Sequence, residues 1–105
     1  MFEDGPRAVV ISRYGGPEVL DVVPLVVPPT PPDGVLVEVR AAGVNPFDTK
    51  VRSGARAPGP LAAPLRLGVD AAGVVVGSSI DGFSIGDAVI ARGLTGAYAT
   101  HVTAT

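Results

Sequence analysis

Five side chains that could bind or polarise a ligand occur within eight consecutive positions of this chain. They are Asn45, Asp48, Thr49, Lys50 and Arg52, in the segment AAGVNPFDTKVRSG. On either side the chain consists mainly of valine, alanine, glycine and proline. An amide, a carboxylate, a hydroxyl and an ammonium group can together bind a carbonyl oxygen or a phosphate and move a proton. The segment is therefore the candidate site.

The same residues also have a purely structural interpretation, because they mark the two ends of a short helix. Asn45 is a favourable N-cap residue, Pro46 suits the first helical position, and Asp48 falls at the third, close to a capping box. Arg52 near the end and Gly54 just after it form a stop signal. The sequence predicts a helix of about two turns here, and both interpretations of its polar residues stay open.

The functional interpretation depends on what precedes the helix. From Val35 to Ala42 apolar and polar residues alternate, which predicts a half-buried strand. Its predicted buried face consists of Val35, Val37, Val39 and Ala41. A helix that starts after such a strand presents free N–H groups and the Asn45 amide to whatever lies above the strand, an arrangement that suits a carbonyl oxygen or a phosphate.

The other elements are short as well. Residues 7–12 and 19–27 flank the turn YGGP and predict a first hairpin. Pro24, inside the second of these strands, cannot donate to a ladder, so that strand should lie at a sheet edge or carry a bulge. The proline-rich segment 28–34 predicts an extended loop.

The second half of the chain continues in the same way, with an irregular loop predicted over residues 55–64. Residues 67–76 are almost continuously apolar and predict a core strand, in which Gly68 and Gly73 indicate a bulge or the close approach of another backbone. Further short strands are predicted at 87–91 and 97–103. About six short strands and one or two short helices predict a mainly β fold, a partly open antiparallel β-barrel.

Composition excludes several classes of function. A net charge of −2 with no stripe of Lys or Arg argues against nucleic-acid binding. The chain has no cysteine and one histidine, which predicts no disulfide, no thiolate nucleophile and no zinc site. No apolar run approaches membrane-spanning length and the first residues are acidic, so we expect a cytoplasmic protein that does not bind membranes.

The remaining candidates have ordinary interpretations. His101 has no potential ligand at metal-site spacing and is expected to be a surface or locally bonded histidine. Tyr14 and Tyr98 are expected to pack at the barrel rim. Arg52 and Arg56 could meet a cofactor phosphate, but a helix C-terminus and a loop are also common solvated positions for arginine.

The sequence contains no GxGxxG, P-loop, GxSxG or HExxH motif.

Four ordered motifs, AAGVNPFDTKVRSG, LGVDAAGVVV, GFSIGDAV and GAYATHV, follow the opening RAVVISRYGGPEVL. Together they resemble the N-terminal catalytic domain of the zinc-independent medium-chain dehydrogenase/reductases, with the quinone oxidoreductase branch nearest. The resemblance covers essentially all 105 residues. It implies a GroES-like β-barrel that forms one wall of a cleft, opposite a downstream Rossmann domain that binds NADPH or NADH.

In such enzymes hydride passes from the nicotinamide to a quinone or enone held between the two domains. The resemblance implies that residues 1–105 are the GroES-like domain, that the Rossmann domain is absent from this chain, and that the chain alone is inactive. It also implies that the full-length form is a homodimer. Asn45 looks like the family's cleft asparagine near nicotinamide and substrate, with Asp48 and Lys50 as catalytic neighbours and Thr49 beside the cofactor.

The resemblance also bears on the metal. Zinc-dependent relatives place a cysteine where Asn45 stands and a His-Glu pair where Val69 and Asp70 stand, so the resemblance implies an enzyme without zinc. Asp70 matches an acidic position in the strand under the cleft. Its structural interpretation is a buried carboxylate held by hydrogen bonds or by an arginine, because an unpaired one would cost several kcal/mol.

Two non-enzymatic functions are alternatives to this one. A free GroES-like module could bind a partner protein through the apolar surface that a Rossmann domain normally covers. An OB-like oligonucleotide-binding barrel is disfavoured, because the net charge is negative and only 5% of the residues are aromatic.

Overall fold

The strands form two antiparallel sheets, and the computed structural model describes residues 5–56, 59–61 and 63–105. Their bounds are β1 Arg7–Ile11, β2 Leu20–Pro24, β3 Val35–Ala42, β4 Leu65–Arg66, β5 Ala71–Ser78, β6 Ala88–Ala91 and β7 His101–Ala104. Helix α1 spans Pro46–Ser53, and a turn of 3-10 helix spans Pro17–Val19. The mainly β prediction is confirmed, and the two sheets do not close into one barrel.

The smaller sheet has the strand order β2-β1-β4, which places β2 at an edge. Pro24 pairs with Arg7 in the last position of β2, as the missing N–H of proline requires. The strand predicted over residues 19–27 ends earlier in the structure, at Pro24. The backbone N–H of Leu25 donates to the carbonyl of Pro6 over 2.9 Å, but Pro6 has no N–H with which to continue the ladder.

The larger sheet has the order β6-β5-β3-β7, and its inner face supplies the main core. The buried core cluster contains Val35, Val37, Val39, Ala71, Val75, Leu94, Ala97 and Val102. The predicted burial of Val35, Val37 and Val39 is therefore correct, but Leu36 on the opposite face is buried as well, at 8% exposure. Ala41 is exposed, contrary to the prediction, because the pairing of β3 with β5 shifts register between Val39 and Ala41.

The predicted core strand 67–76 is divided in the structure. β4 pairs with β1 in the smaller sheet, residues 67–70 cross between the sheets, and β5 begins at Ala71. Gly68 lies in this crossing with a φ of 98°, and an added Cβ would stand 2.7 Å from the backbone nitrogen of Tyr98. The predicted close approach is confirmed there. An apolar run could not reveal the change of sheet, because both sheets bury apolar residues.

The last predicted strands are also present. β6 lies within the predicted 87–91, and β7 overlaps the predicted 97–103 but starts only at His101. Before it, Ala99 forms an isolated antiparallel bridge with Ala8 of β1, which ties the two sheets together. In the described part of the chain no helix is long and apolar enough to cross a membrane.

Gly73 supplies a stability test, because its added Cβ would collide with the backbone carbonyl oxygen of Glu38 on the neighbouring strand. We expect Gly73→Ala to lower the free energy of unfolding by about 3 kcal/mol, since neither strand can move without breaking the ladder. Gly82→Ala is the control: it meets open space at a φ of 90° and should cost about 1 kcal/mol. Urea unfolding followed by circular dichroism measures both, and equal losses would contradict the assigned contact.

Candidate functional site

Helix α1 begins and ends at the residues that the sequence indicates. Asn45 is the N-cap in an extended conformation, with φ −120° and ψ 153°, and Pro46 is the first helical residue. Asp48 Oδ2 accepts a hydrogen bond of 3.0 Å from the Asn45 backbone N–H, which is its half of a capping box. Gly54 ends the helix with a φ of 92°, and its N–H donates to the carbonyl of Val51. The interpretation of these residues as the two ends of a short helix is confirmed.

Asp48 is the most buried charged group of the site, with 4% of its surface exposed. The same Oδ2 atom also accepts a hydrogen bond of 3.0 Å from the hydroxyl of Tyr98. Burial raises the pKa of Tyr98 to about 12, with smaller contributions from the hydrogen bond to Asp48 and from the charge of that carboxylate. The two residues are 50 positions apart, and the sequence predicts only a packing role for Tyr98.

A second hydrogen bond orients the Asn45 side chain. Its Nδ2 atom donates to Asp70 Oδ2 over 3.2 Å, and the Asp70 backbone carbonyl accepts from the N–H of Gly43. Asp70 is half-buried and is held by a hydrogen bond, as its structural interpretation requires, with an amide as the donor. The structure thus links Asp70, Asn45, Asp48 and Tyr98 in one chain of hydrogen bonds.

Thr49 and Lys50 are both exposed on α1. The Thr49 hydroxyl donates to the carbonyl of Pro46 over 2.7 Å. The carbonyl of Lys50 accepts hydrogen bonds from the Ser53 hydroxyl and the Arg56 N–H. Of the predicted site residues, Asn45 and Asp48 therefore belong to the hydrogen-bonded chain, whereas Thr49 and Lys50 lie at the surface of the same helix.

Two cavities adjoin this hydrogen-bonded chain. The larger, of about 390 Å³, lies between α1 and the segment from β4 to Val69, and its apolar lining includes Phe47, Val51, Leu65 and Leu94. The smaller, of about 200 Å³, is lined by residues that include Leu20, Val44, Thr49 and Tyr98. Both cavities are also lined by Asp48 and Leu67. The buried carboxylate therefore lies next to both.

Potential metal ligands are dispersed. Within residues 5–56, 59–61 and 63–105, no group of three or more His, Cys, Asp or Glu side chains could hold a metal ion. Nδ1 of His101 lies 2.9 Å from the hydroxyl oxygen of the adjacent Thr100. The prediction of a locally bonded histidine is confirmed.

Comparisons with known proteins agree with this architecture. The sequence profile of the alcohol dehydrogenase GroES-like domain matches residues 31–105. Quinone oxidoreductase from Sus scrofa is 42% identical over 101 residues, which are 92% of this chain and 30% of that protein.

Solved structures show the same fold. A mycobacterial protein complexed with NADPH gives a TM-score of 0.84 at 33% identity, over 95% of this chain and 30% of that one. Escherichia coli quinone oxidoreductase complexed with NADPH gives 0.78 at 35% identity, over 92% and 30%. The chain thus spans less than a third of the length of the proteins it matches.

The raised pKa of Tyr98, caused first by burial and then by its hydrogen bond to Asp48, predicts a change in stability at high pH. The unfolded tyrosine loses its proton near its ordinary pKa of 10.0, whereas folded Tyr98 keeps it to about 12. The folded state therefore binds more protons in this range, and Tyr98 contributes stability that falls as the pH rises from about 10 to about 12.

Tyr98→Phe should lower the free energy of unfolding at neutral pH by about 2 kcal/mol, because a buried carboxylate loses a hydrogen bond. The difference in stability between wild type and Tyr98→Phe should then shrink as the pH rises through this window. Urea unfolding at a series of pH values measures the difference. A difference independent of pH would contradict the assignment.

Proposed function

This chain belongs to the alcohol dehydrogenase GroES-like domain family, and from that membership we propose that it is the substrate-side domain of an NADPH-dependent oxidoreductase. The enzyme transfers a hydride to a quinone or an enone without zinc. A Rossmann domain outside these 105 residues binds most of the cofactor, and the full-length protein is a cytoplasmic homodimer. Similarity to quinone oxidoreductases over nine-tenths of this chain supports the reaction class.

The structural observation that carries the proposal is the larger cavity beside the start of α1. Its volume of about 390 Å³ and its lining by Phe47, Val51 and Leu94 suit a planar quinone or enone. Such a reaction needs orientation, exclusion of water, polarisation of the acceptor oxygen and a proton. It does not need a strong nucleophile, and the described residues that line the cavity include none.

Asn45 is proposed to polarise the acceptor. It does not itself line either cavity, but its backbone is hydrogen-bonded to Asp48, which lines both. Its Nδ2 carries two protons and donates one to Asp70, which leaves the second for the acceptor carbonyl oxygen. Asp48 accepts hydrogen bonds from the Asn45 backbone and the Tyr98 hydroxyl. In this proposal Asp48, which the sequence predicts as catalytic, is therefore a positioning residue for Asn45. Lys50, exposed on the same helix and outside the lining of both cavities, is proposed as the source of the proton that the reduced oxygen takes up.

The residues of the smaller cavity fit a nicotinamide ring. Val44, Leu67 and Tyr98 offer apolar surface. The Thr49 hydroxyl donates a hydrogen bond to the Pro46 carbonyl, so its oxygen lone pairs are available to accept a hydrogen bond from a carboxamide. NADPH supplies the hydride when it is bound. The absence of GxGxxG and of a P-loop from this sequence supports binding of the cofactor phosphates by another domain.

A protein-binding module without enzymatic activity is the second candidate. It is favoured by large apolar side chains that are exposed in this chain, among them Ile85 at 72%, Ile90 at 81% and Val26 at 91%. A module of this kind would associate through these side chains and would need neither cofactor nor acceptor.

One experiment separates the two candidates. A longer chain that includes the dinucleotide-binding domain should oxidise NADPH when a quinone is added, whereas residues 1–105 alone should neither bind NADPH at micromolar concentration nor oxidise it. Absorbance of NADPH and isothermal titration calorimetry measure these outcomes. Micromolar binding of NADPH to the 105 residues, or a longer chain without reductase activity, would contradict the proposal.

Asn45→Ser tests the role of the amide in that longer chain. Serine remains a good N-cap residue but has no amide donor, so we expect kcat/KM to fall about a hundredfold, mostly through kcat. Ser53→Ala is the matched control on the same helix, because the Ser53 hydroxyl bonds only locally, to Lys50 and Ala55. Equal activity of the two variants would remove Asn45 from the mechanism.

A further inference from the structure

Positive charge is concentrated in the segment that supplies much of the lining of the larger cavity, although the chain as a whole has a net charge of −2. Residues 49–69 contain no Asp or Glu. The same stretch holds half of the eight Lys and Arg residues, namely Lys50, Arg52, Arg56 and Arg66. Such a local excess of one sign attracts ligands of the opposite sign.

Arg56 lies at the solvent-exposed side of the cavity that it helps to line. Its guanidinium carbon is 5.8 Å from the centroid of the Phe47 ring, which lines the same cavity. This cation–π contact restrains the side chain beside the cavity without neutralising its charge. In the described part of the chain, no carboxylate forms an ion pair with Arg56.

Arg66 lines the cavity from β4. Its Nη2 atom donates to the carbonyls of Gly96 and His101 over 2.7 and 3.2 Å. Its buried Nε has no hydrogen-bond partner among the described residues, and burial lowers the pKa of the guanidinium. Two carbonyl dipoles stabilise the cation, but its charge is not paired with an anion.

The acidic group of the cavity does not cancel these charges. Asp48 is the one Asp or Glu among the described residues that line it. It is 4% exposed, and its Oδ2 already accepts two hydrogen bonds from Asn45 and Tyr98. Two guanidinium groups against one enclosed carboxylate leave an excess of one positive charge at an otherwise largely apolar cavity.

We infer that the larger cavity selects acceptors that carry an anionic group, of which a carboxylate is the simplest, in addition to their reducible carbonyl. The apolar body of the acceptor packs against Phe47, Val51 and Leu94, and the anionic group meets Arg56 at the exposed side. Arg56 is the specificity-determining residue. The inference rests on the proposed function for the identity of the ligand as an acceptor, whereas binding of the anion does not require the hydride step.

The test compares two ligands that differ in charge and by one methyl group. They are benzylideneacetone with a carboxylate at the para position of its ring, which is an enone, and the methyl ester of that acid. Each is titrated into the 105-residue chain without NADPH and followed by the backbone amide NMR signals of Gly68, Gly93 and Thr95, which line the cavity. The carboxylate should bind about tenfold more tightly than the ester, the factor that one charge-assisted hydrogen bond of about 1.4 kcal/mol supplies.

Three variants assign the effect. Arg56→Met keeps an apolar side chain of similar length and should abolish the preference for the carboxylate, and Arg56→Glu should reverse it. Arg13→Met is the matched control, because it removes the same charge from an exposed position outside the cavity, and it should keep the preference. A thermal melt of each variant checks that it is folded. We expect each to fold, because the Arg56 side chain is exposed and its one polar or ring contact among the described residues is with Phe47.

The anionic group could also come from the cofactor, so an adenosine bisphosphate with the ribose phosphate of NADPH is titrated in competition. Failure of this compound to displace the carboxylate supports an acceptor site, whereas displacement would assign Arg56 to the cofactor phosphate and overturn the inference. Equal affinity for acid and ester, or binding of neither, would also overturn it. If the longer chain has no reductase activity, the proposed function is contradicted, but the result of this binding experiment is unchanged.

Discussion

The arrangement of the site depends on one buried carboxylate and the two hydrogen bonds that it accepts. Asp48 is 4% exposed, and its Oδ2 joins the backbone of Asn45 to the hydroxyl of Tyr98. A buried carboxylate without such partners would cost several kcal/mol, so the start of α1 and the segment before β7 are held in a fixed relation. That relation fixes the walls of both cavities, because each is lined by Asp48.

The site therefore contains two kinds of charged residue. Asp48 and Asp70 have their hydrogen bonds satisfied within the protein and orient Asn45 from its backbone and from its side chain. Arg56 and Arg66 line the larger cavity without a carboxylate partner among the described residues. A preorganised amide and a net positive cavity are suited to positioning and polarising an acceptor, which is what hydride transfer requires of a protein surface.

The sequence by itself determined the features that depend on a few neighbouring residues. The N-cap at Asn45 and the left-handed stop at Gly54 follow from backbone groups that must be satisfied at helix ends. The edge position of Pro24 follows from its missing N–H. The burial of Val35, Val37 and Val39 follows from their spacing of two along the strand. The family resemblance could be identified from the sequence because each of its motifs is a short run of consecutive residues.

Only the tertiary structure decided which distant groups meet. Tyr98 reaches Asp48 across 50 positions, and Asn45 reaches Asp70 across 25. The division of the apolar run into β4 and β5, and the exposure of Ala41, depend on which sheet each segment joins and on the register of that pairing. A sequence pattern specifies that a side chain must be buried or hydrogen-bonded. Its partner is selected by strand pairing and side-chain direction, which exist only once the whole chain has folded.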